Sequence, residues 1–292
     1  ALLDEVVAAQ MQYMQLQALM SSDDLQAKKA GLLVGAAAST DVAVTAAKNA
    51  KSSSKAEAGA DEQTTVELQG SKLAIARRAF ILGDLQSAVK LATLCLRNLQ
   101  RLLKGTGLSP RTGTGLHAHE YCADACLLIG QANSALGSYD TADEHFDQCL
   151  EAQEAMLGIS HPRIASTMLE MARNLCGPGH YDEAFHCCER AAEILVEAKM
   201  PKKSACMASC LHVTGVVMRD KAGTDMAALQ EAEQHLQHAL FISKQFFTLQ
   251  SPTCATILEA LAECQRLLNL PEASLESFTM ALNILSKKYS KD

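Results

Sequence analysis

The chain has 292 residues and a net charge of −7, and 48% of its residues are hydrophobic although only 4% are aromatic. This charge argues against general nucleic-acid binding. Ala, Leu, Met, Val and Cys supply most of the apolar surface, and this composition predicts closely packed helices rather than sheets. The predicted fold class is therefore all-α.

The N-terminal residues 1–20 are predicted to form one helix. Its apolar stripe consists of Leu3, Val7, Met11 and Met14, which recur at helical spacing. Two alternatives stay open: the stripe docks on the rest of the chain as a cap, or it pairs with a helix of another chain. A second, alanine-rich helix is predicted over roughly 24–50, followed by a flexible polar connector over 51–63. Residues 1–66 are thus predicted to be a helical, low-complexity extension, and residues 67–292 a helical repeat domain.

The segment 71–113 is strongly basic. It holds eight basic side chains and one acidic side chain, whereas the flanking residues 1–70 and 114–292 have net charges of −4 and −10. Two interpretations stay open for this segment, a surface that docks an acidic partner and a solvated helix face. Within it, the Gly- and Thr-rich stretch 104–116 is predicted to be a long surface loop.

A repeat with a period of 42 residues organises the second half of the chain. The motif Gly130-Gly137-Tyr139-Ala142 returns as Ala172-Gly179-Tyr181-Ala184. A small residue in one helix, a Gly-x-Tyr turn and an alanine in the next helix describe a helical hairpin. Such hairpins bury their apolar faces by stacking on one another. The expected hairpins cover roughly 71–104 (degenerate), 118–157, 161–198, 202–247 and 252–289. Stacked hairpins favour surface recognition over a single catalytic pocket.

Corresponding positions of the hairpins carry side chains of different size. Phe146, Leu236 and Phe278 share one packing position, which Cys188 fills in the second full hairpin. We interpret these residues, and the cysteines and methionines at helical spacing, as hairpin core. His161 and Pro162 are interpreted as the start of a helix, because proline at the first turn costs no backbone hydrogen bond.

The pattern small-x6-Gly-x-Tyr-x2-Ala-x6-Ala resembles the tetratricopeptide repeat. The segment Leu157-Gly158-Ile159-Ser160-His161-Pro162-Arg163-Ile164-Ala165 is similar to the start of the kinesin light chain type of this repeat. Ser251-Pro252-x-x-Ala255 is a weaker second copy of that start. The resemblance covers about residues 118–289 and implies a right-handed α-solenoid of stacked antiparallel helix hairpins.

Relatives of this type bind extended or helical peptide segments in a groove lined by the first helix of each hairpin. The matching positions here are Arg77, Leu127, Gln131, Leu169, Arg173, His212, Arg219, Glu263 and Arg266. Leu169-Glu170-Met171-Ala172 stands where kinesin light chains carry Asn-Asn-Leu-Ala, so their cargo is not carried over. The resemblance implies a general groove for protein segments, in which Arg173, Arg219 and Arg266 orient an acidic partner.

Patterns typical of catalysis or cofactor binding are missing from the sequence. It has no P-loop, no dinucleotide-binding fingerprint and no His-Glu-x-x-His motif. Three groupings carry ligand types that zinc accepts: His117, His119, Cys122 and Cys126; His180, His186, Cys187 and Cys188; and Cys206, Cys210 and His212. None shows a recurrent Cys-x2-Cys with a partner at known spacing, so no metal, cofactor or catalytic residue is predicted.

The first functional hypothesis is a non-enzymatic scaffold or adaptor that binds peptide segments of partner proteins in the groove. The second is a structural subunit of a large cytoskeletal, ciliary or organellar assembly. The third is the accessory helical module of a larger enzyme, such as a SET-and-MYND methyltransferase, to which the stretch from Tyr121 to Pro162 is loosely similar.

The predicted partners are proteins, either acidic segments or a multiprotein assembly, and not nucleic acid. No apolar run reaches 18 residues, so no membrane span is expected. Eleven cysteines without a Cys-x-x-Cys pair indicate reduced thiols. They predict an intracellular reducing compartment, first of all the cytoplasm.

Overall fold

A computed structural model describes residues 4–15, 55–110, 113–246 and 251–289. In these ranges every regular element is a helix, which confirms the all-α prediction. The helices are α1 (4–15), α2 (Lys55–Ile81), α3 (Leu85–Thr106), α4 (Gly113–Ala135), α5 (Tyr139–Leu157), α6 (Pro162–Cys176), α7 (Tyr181–Glu197), α8 (Ala205–Ala222), α9 (Met226–Phe246), α10 (Pro252–Leu267) and α11 (Pro271–Tyr289). None of them is both long enough and apolar enough to cross a membrane.

The helices form two compact units. The α2–α5 unit ends at Gly158, and the α6–α11 unit contains those six helices together with α1. In both, consecutive helices pack as hairpins, and the first helix of a hairpin also contacts the first helix of the next: α2 contacts α4, α6 contacts α8, and α8 contacts α10. This is the nearest-neighbour packing of stacked repeats, so the predicted hairpin fold is confirmed.

Helix α2 begins earlier than the sequence suggested. The connector expected over 51–63 is wrong for residues 55–63, which belong to this helix. Glu and Ala are good helix formers, and Val66 and Leu73 are buried further along the same helix. The helix also runs through residue 66, so the division of the chain into an extension and a repeat domain stays a prediction. The second helix predicted over 24–50 lies outside the described residues.

Helix ends follow the turn residues of the repeat. Gly137 and Gly179 have φ of 78° and 89°, in the left-handed region that glycine adopts without strain. At the turn that contains Gly137, the Ser138 amide donates a hydrogen bond to the Asn133 carbonyl at 2.9 Å, as in a Schellman motif. Asn269 takes the same role in the last hairpin with φ of 58°, because asparagine tolerates this region better than most residues.

The predicted helix start at His161 and Pro162 is confirmed. The His161 Nδ1 accepts a hydrogen bond from the Arg163 amide at 3.2 Å, and Pro162 occupies the first turn. Ser251 repeats this arrangement before Pro252, with its Oγ accepting a hydrogen bond from the Thr253 amide at 3.3 Å. Both caps satisfy a backbone donor that the helix itself leaves free.

The loop expected over 104–116 is shorter in the structure. Helix α3 continues to Thr106 and α4 begins at Gly113, so the ends of that prediction are wrong. The Gly107 amide donates to the Leu103 carbonyl at 2.9 Å and caps α3 in a left-handed conformation. Glycine and threonine content indicated a turn here but not how far the flanking helices extend.

Small and large side chains meet inside the hairpins. A Cβ built on Gly130 would lie 2.7 Å from Cε1 of Phe146, and one on Gly215 would lie 2.7 Å from Cγ of Leu236. The glycines therefore let paired helices approach closely, while the large residue of the second helix fills the space. These are the positions that the repeat singled out in the sequence.

Helix α1 docks on the α6–α11 unit through a different face from the one predicted. The buried residues are Val6, Ala9 and Tyr13, whereas Val7, Met11 and Met14 are exposed by 41%, 56% and 50%. Leu3 lies outside the described residues. The prediction of the stripe is wrong because this short helix carries two apolar stripes. The buried stripe has the small Ala9, which allows close approach, and Tyr13, which adds bulk.

The partners of α1 lie in the last hairpin. Val6 and Ala9 share a hydrophobic cluster with Ala262 of α10 and Phe278 of α11. Tyr13 belongs to the larger core of the same unit. Helix α1 thus docks on the rest of the chain, as in the first alternative, but through Val6, Ala9 and Tyr13 and not through the predicted stripe.

Candidate peptide-binding surface

Three neighbouring helices of the α6–α11 unit each supply one of the predicted arginines. Arg173 comes from α6, Arg219 from α8 and Arg266 from α10. Helix α8 packs against both α6 and α10, so the three helices lie side by side. Arg219 and Arg266 each follow the small residue of their repeat by four positions, and Arg173 follows its small residue by one. Positions three apart lie on the same side of a helix, so all three arginines belong to corresponding faces.

Each of these arginines is paired with a carboxylate of its own helix. Nη1 of Arg173 lies 2.7 Å from Oε1 of Glu170, Nη2 of Arg219 lies 2.7 Å from Oδ1 of Asp220, and Nη2 of Arg266 lies 3.0 Å from Oε2 of Glu263. We call these six residues the arginine–carboxylate surface. Positive and negative side chains therefore lie next to each other on this surface.

The charges of these pairs act on two further side chains. His212 of α8 interacts with both Arg173 and Arg219, and Glu259 of α10 interacts with Arg219 and Glu263. Burial, followed by the two arginines, lowers the pKa of His212 to about 4. The imidazole is therefore neutral at neutral pH, and in this form one ring nitrogen is a hydrogen-bond donor and the other an acceptor.

Stability at acidic pH tests the environment of His212. Its pKa falls from an ordinary 6.5 to about 4 on folding. Between these pH values the His212 side chain binds a proton more strongly in the unfolded chain than in the folded one. The stability that the neutral imidazole gives the fold is therefore complete above pH 6.5 and is lost as the pH falls towards 4. We expect His212→Gln to reduce the loss of unfolding free energy over this range, measured by urea titrations at several pH values.

The control for that experiment is His186→Gln, because the side chain of His186 is 83% exposed. This control is expected to leave the pH profile as it is in the wild type. Equal profiles for the wild type and His212→Gln would contradict the buried environment of His212.

Helix α1 touches one end of the arginine–carboxylate surface. The Gln10 Nε2 donates a hydrogen bond to Oε1 of Glu263, and the Tyr13 hydroxyl donates one to the Glu259 carboxylate. Burial raises the pKa of Glu259, and the bond from Tyr13 and the charge of Arg219 partly offset this. The α10 part of the surface therefore already has a partner from the same chain, whereas the α6 and α8 parts have none from α1 among the described contacts.

The other predicted groove residues are placed as follows. In the α2–α5 unit, Nη2 of Arg77 lies 2.5 Å from Oδ2 of Asp124 and joins α2 to α4. Leu127 and Gln131 are partly buried on α4, three and seven residues after Asp124. In the other unit, Leu169 has only 3% of its surface exposed and supports helix packing. We therefore leave Leu169 out of the surface on which a function is proposed.

Several residues of these sites were missed by sequence reasoning. Asp124 bonds to Arg77, Gln10 to Glu263 and Tyr13 to Glu259. In each case the bond joins two different helices. Asp124 could have been found from the sequence, because it stands three residues before Leu127 and so lies on the same face of the helix. Tyr13 follows Val6 by seven residues, a spacing that also marks one face of a helix.

The thiol–imidazole groupings do not assemble into a metal site in the part of the chain that the structure describes. No group of three His, Cys, Asp or Glu side chains there is arranged to hold a metal ion. Burial raises the pKa values of Cys122, Cys126 and Cys188 to about 12. These thiols therefore stay protonated at neutral pH and pack as small apolar core residues. Metals are bound by the thiolate form, which these cysteines do not take at that pH.

Comparison with known proteins is consistent with this geometry. No curated protein matches the chain in sequence. The family model described as "Tetratricopeptide repeat" matches residues 123–223. This match assigns tetratricopeptide repeats to residues 123–223 of the chain. The matched range contains helices from both units, and the hairpins before and after it continue the same helix-pair packing.

Solved structures support the same helical-repeat fold. A Podosopora anserina chain described as a kinesin light chain with nearly identical TPR-like repeats has a TM-score of 0.52 at 19% identity, over 77% of this chain and 98% of that one. BtubC (BKLC) from P. vanneervenii has a TM-score of 0.56 at 14% identity, over 100% of this chain and 94% of that one. At such identities the likeness shows the fold alone, and it is the fold that the kinesin light chain resemblance implied.

Proposed function

We propose that this protein is a non-enzymatic scaffold that binds segments of partner proteins on the arginine–carboxylate surface. The observation that carries the proposal is that three adjacent first helices each present an arginine beside a carboxylate. Tetratricopeptide repeats generally mediate protein–protein interactions. A face built from repeated, partly exposed polar pairs suits recognition of a polypeptide rather than of a small molecule, since it is extended and not enclosed.

The chemistry of this surface favours a partner segment of mixed charge. Arg173, Arg219 and Arg266 can each orient a carboxylate, while Glu170 and Glu263 can each receive a cation. The neutral His212 adds one donor and one acceptor between the charged pairs. A purely acidic segment would meet the three carboxylates beside the arginines, and like-charge contacts of this kind reduce affinity.

The proposal is tested with peptides selected on the wild-type protein from a random display library. We expect the triple variant R173A/R219A/R266A to bind the selected peptides at least about tenfold more weakly in fluorescence anisotropy, because it loses three orienting cations. Circular dichroism should show unchanged helix content, since these side chains are partly exposed.

The matched control replaces three cations outside the arginine–carboxylate surface. The variant R190A/K202A/K244A removes the same charge from positions that are exposed or only partly buried, and it should bind within about twofold of the wild type. If both triple variants bind like the wild type, or both lose affinity equally, the surface is not the binding site.

A second candidate function is that of a structural subunit in a larger assembly. The observation that favours it is an exposed basic face on α3. For either function we propose an intracellular reducing compartment, the cytoplasm in the first place. The support is that all eleven cysteines are free thiols and eight of them are buried as small apolar residues.

A further inference from the structure

Helix α3 carries a row of exposed cations on one side. Lys90, Arg97, Arg101 and Lys104 are exposed, as is Leu94 between the first two. We call the four basic residues the cationic stripe. With Leu94 they recur at intervals of four, three, four and three residues. On an α-helix these five positions fall within an arc of about 80° and extend over about 21 Å.

Helix α3 is oriented so that the stripe faces away from the core. The opposite side of the helix is buried through Ala88, Ala92, Cys95, Leu96 and Leu99. Helices α2 and α4 are the described elements that pack against α3. Within the α2–α5 unit the stripe is therefore exposed to another molecule.

The cations of the stripe have no acidic partners within the described part of the chain. Helix α3 contains no Asp or Glu between Leu85 and Thr106. Arg77, on the neighbouring helix, pairs with Asp124, but no described carboxylate pairs with the four residues of the stripe. Like charges three and four residues apart repel each other and weaken the helix. A concentration of unpaired positive charge in a chain of net charge −7 is thus a specific feature.

We propose that the cationic stripe binds an acidic helix of a partner protein. Charge complementarity selects an acidic partner, and the alternating four–three spacing is the spacing along which two helices pack in a coiled coil. Carboxylates at the same spacing on the partner helix would each meet a cation of the stripe. Leu94, which is 49% exposed, supplies an apolar contact within the row.

A protein helix fits the stripe better than a membrane or a nucleic acid. Helices that lie on membranes need a continuous apolar face beside the charges, and Leu94 is the one apolar member of this row. A nucleic acid carries negative charge along its whole length. Residues 114–292, with a net charge of −10, would repel it. Both classes are outcomes of the experiment.

The test uses the full chain and a fluorescein-labelled synthetic peptide of about three Glu-Ala-Ala-Glu-Ala-Ala-Ala heptads. We expect binding by anisotropy at about 0.05 M salt and weaker binding at about 0.5 M salt, where exposed charges are screened. The variant R97E/R101E should lose about tenfold or more in affinity. A peptide of the same composition with its glutamates in scrambled order should bind more weakly than the heptad peptide.

The matched control is K202E/K244E, which makes the same charge change at exposed positions of the other unit. It should bind the heptad peptide within about twofold of the wild type. If R97E/R101E has reduced helix content in circular dichroism, R97Q/R101Q replaces it, with a smaller loss expected in the same direction.

Four results would each overturn the proposal. They are no binding of the heptad peptide by the wild type at low salt, equal loss in the control, equal binding of the scrambled peptide, and tighter binding of a random-sequence DNA duplex or of phosphatidylserine vesicles than of the peptide. The peptides selected for the proposed function are measured with the same R97E/R101E variant. Their unchanged affinity would separate the two surfaces.

Discussion

Replacing Tyr13 by alanine is expected to lower the free energy of unfolding of the α6–α11 unit by about 3–5 kcal/mol. Tyr13 has 1% of its surface exposed and belongs to the core that also contains Leu258 and Leu285. The truncation removes this packing together with the hydroxyl that donates to Glu259. Urea unfolding followed by far-ultraviolet circular dichroism measures the change, and hydrogen exchange of α10 and α11 localises it.

Two further variants separate packing from hydrogen bonding at α1. Met11→Ala should change stability by no more than about 0.5 kcal/mol, because Met11 is 56% exposed. Tyr13→Phe keeps the ring and removes the hydroxyl, so we expect a loss of about 1 kcal/mol. If Met11→Ala destabilises the protein as much as Tyr13→Ala, the docking face of α1 described above is incorrect.

The substitution Gly130→Ala is expected to destabilise the α2–α5 unit by about 1–3 kcal/mol. Alanine in a helix interior normally adds about 1 kcal/mol of stability relative to glycine. Here the new methyl group would lie 2.7 Å from Cε1 and 2.8 Å from Cδ1 of Phe146, whose ring is 1% exposed. The rigid, buried ring cannot move aside, so the steric conflict outweighs the gain in helix propensity. Urea unfolding gives the difference in free energy.

A helix glycine without a close neighbour provides the control. A Cβ at Gly105, in the last turn of α3, would meet no atom within 4 Å. Gly105→Ala should therefore be neutral or stabilise the protein by up to about 1 kcal/mol. Combining Gly130→Ala with Phe146→Leu should recover part of the loss, since the smaller side chain makes room for the methyl group. Stabilisation by Gly130→Ala alone would show that α4 and α5 are not packed this closely.

The hairpins were predictable from the sequence because their signals are local. Glycine at residues 137 and 179 meets a backbone requirement of the turn itself, and His161 with Pro162 forms a cap within one helical turn. Side chains of the next few residues decide such features, and their spacing is visible in the chain. Asn269 shows the same rule in a less obvious form, since it replaces glycine at a left-handed position.

The docking of α1 and the charge pairing of the candidate site could not be predicted in the same way. Both apolar stripes of α1 have helical spacing, and the choice between them depends on the surface around Ala262 and Phe278. Arg173, Arg219 and Arg266 were recognised by register, but their charge is offset by Glu170, Asp220 and Glu263. Rotamers determine such pairs, and repeat register does not specify rotamers.

The contact between Gln10 and Glu263 joins residues 253 positions apart. A ribosome adds about 5–20 residues per second, so the N-terminal helix waits about 12–50 s for the hairpin that receives it. During that interval Val6, Ala9 and Tyr13 have no native surface to cover them. The earliest described segment to be synthesised is thus among the last to reach its native position, and its apolar side chains stay uncovered while the residues up to α10 are made.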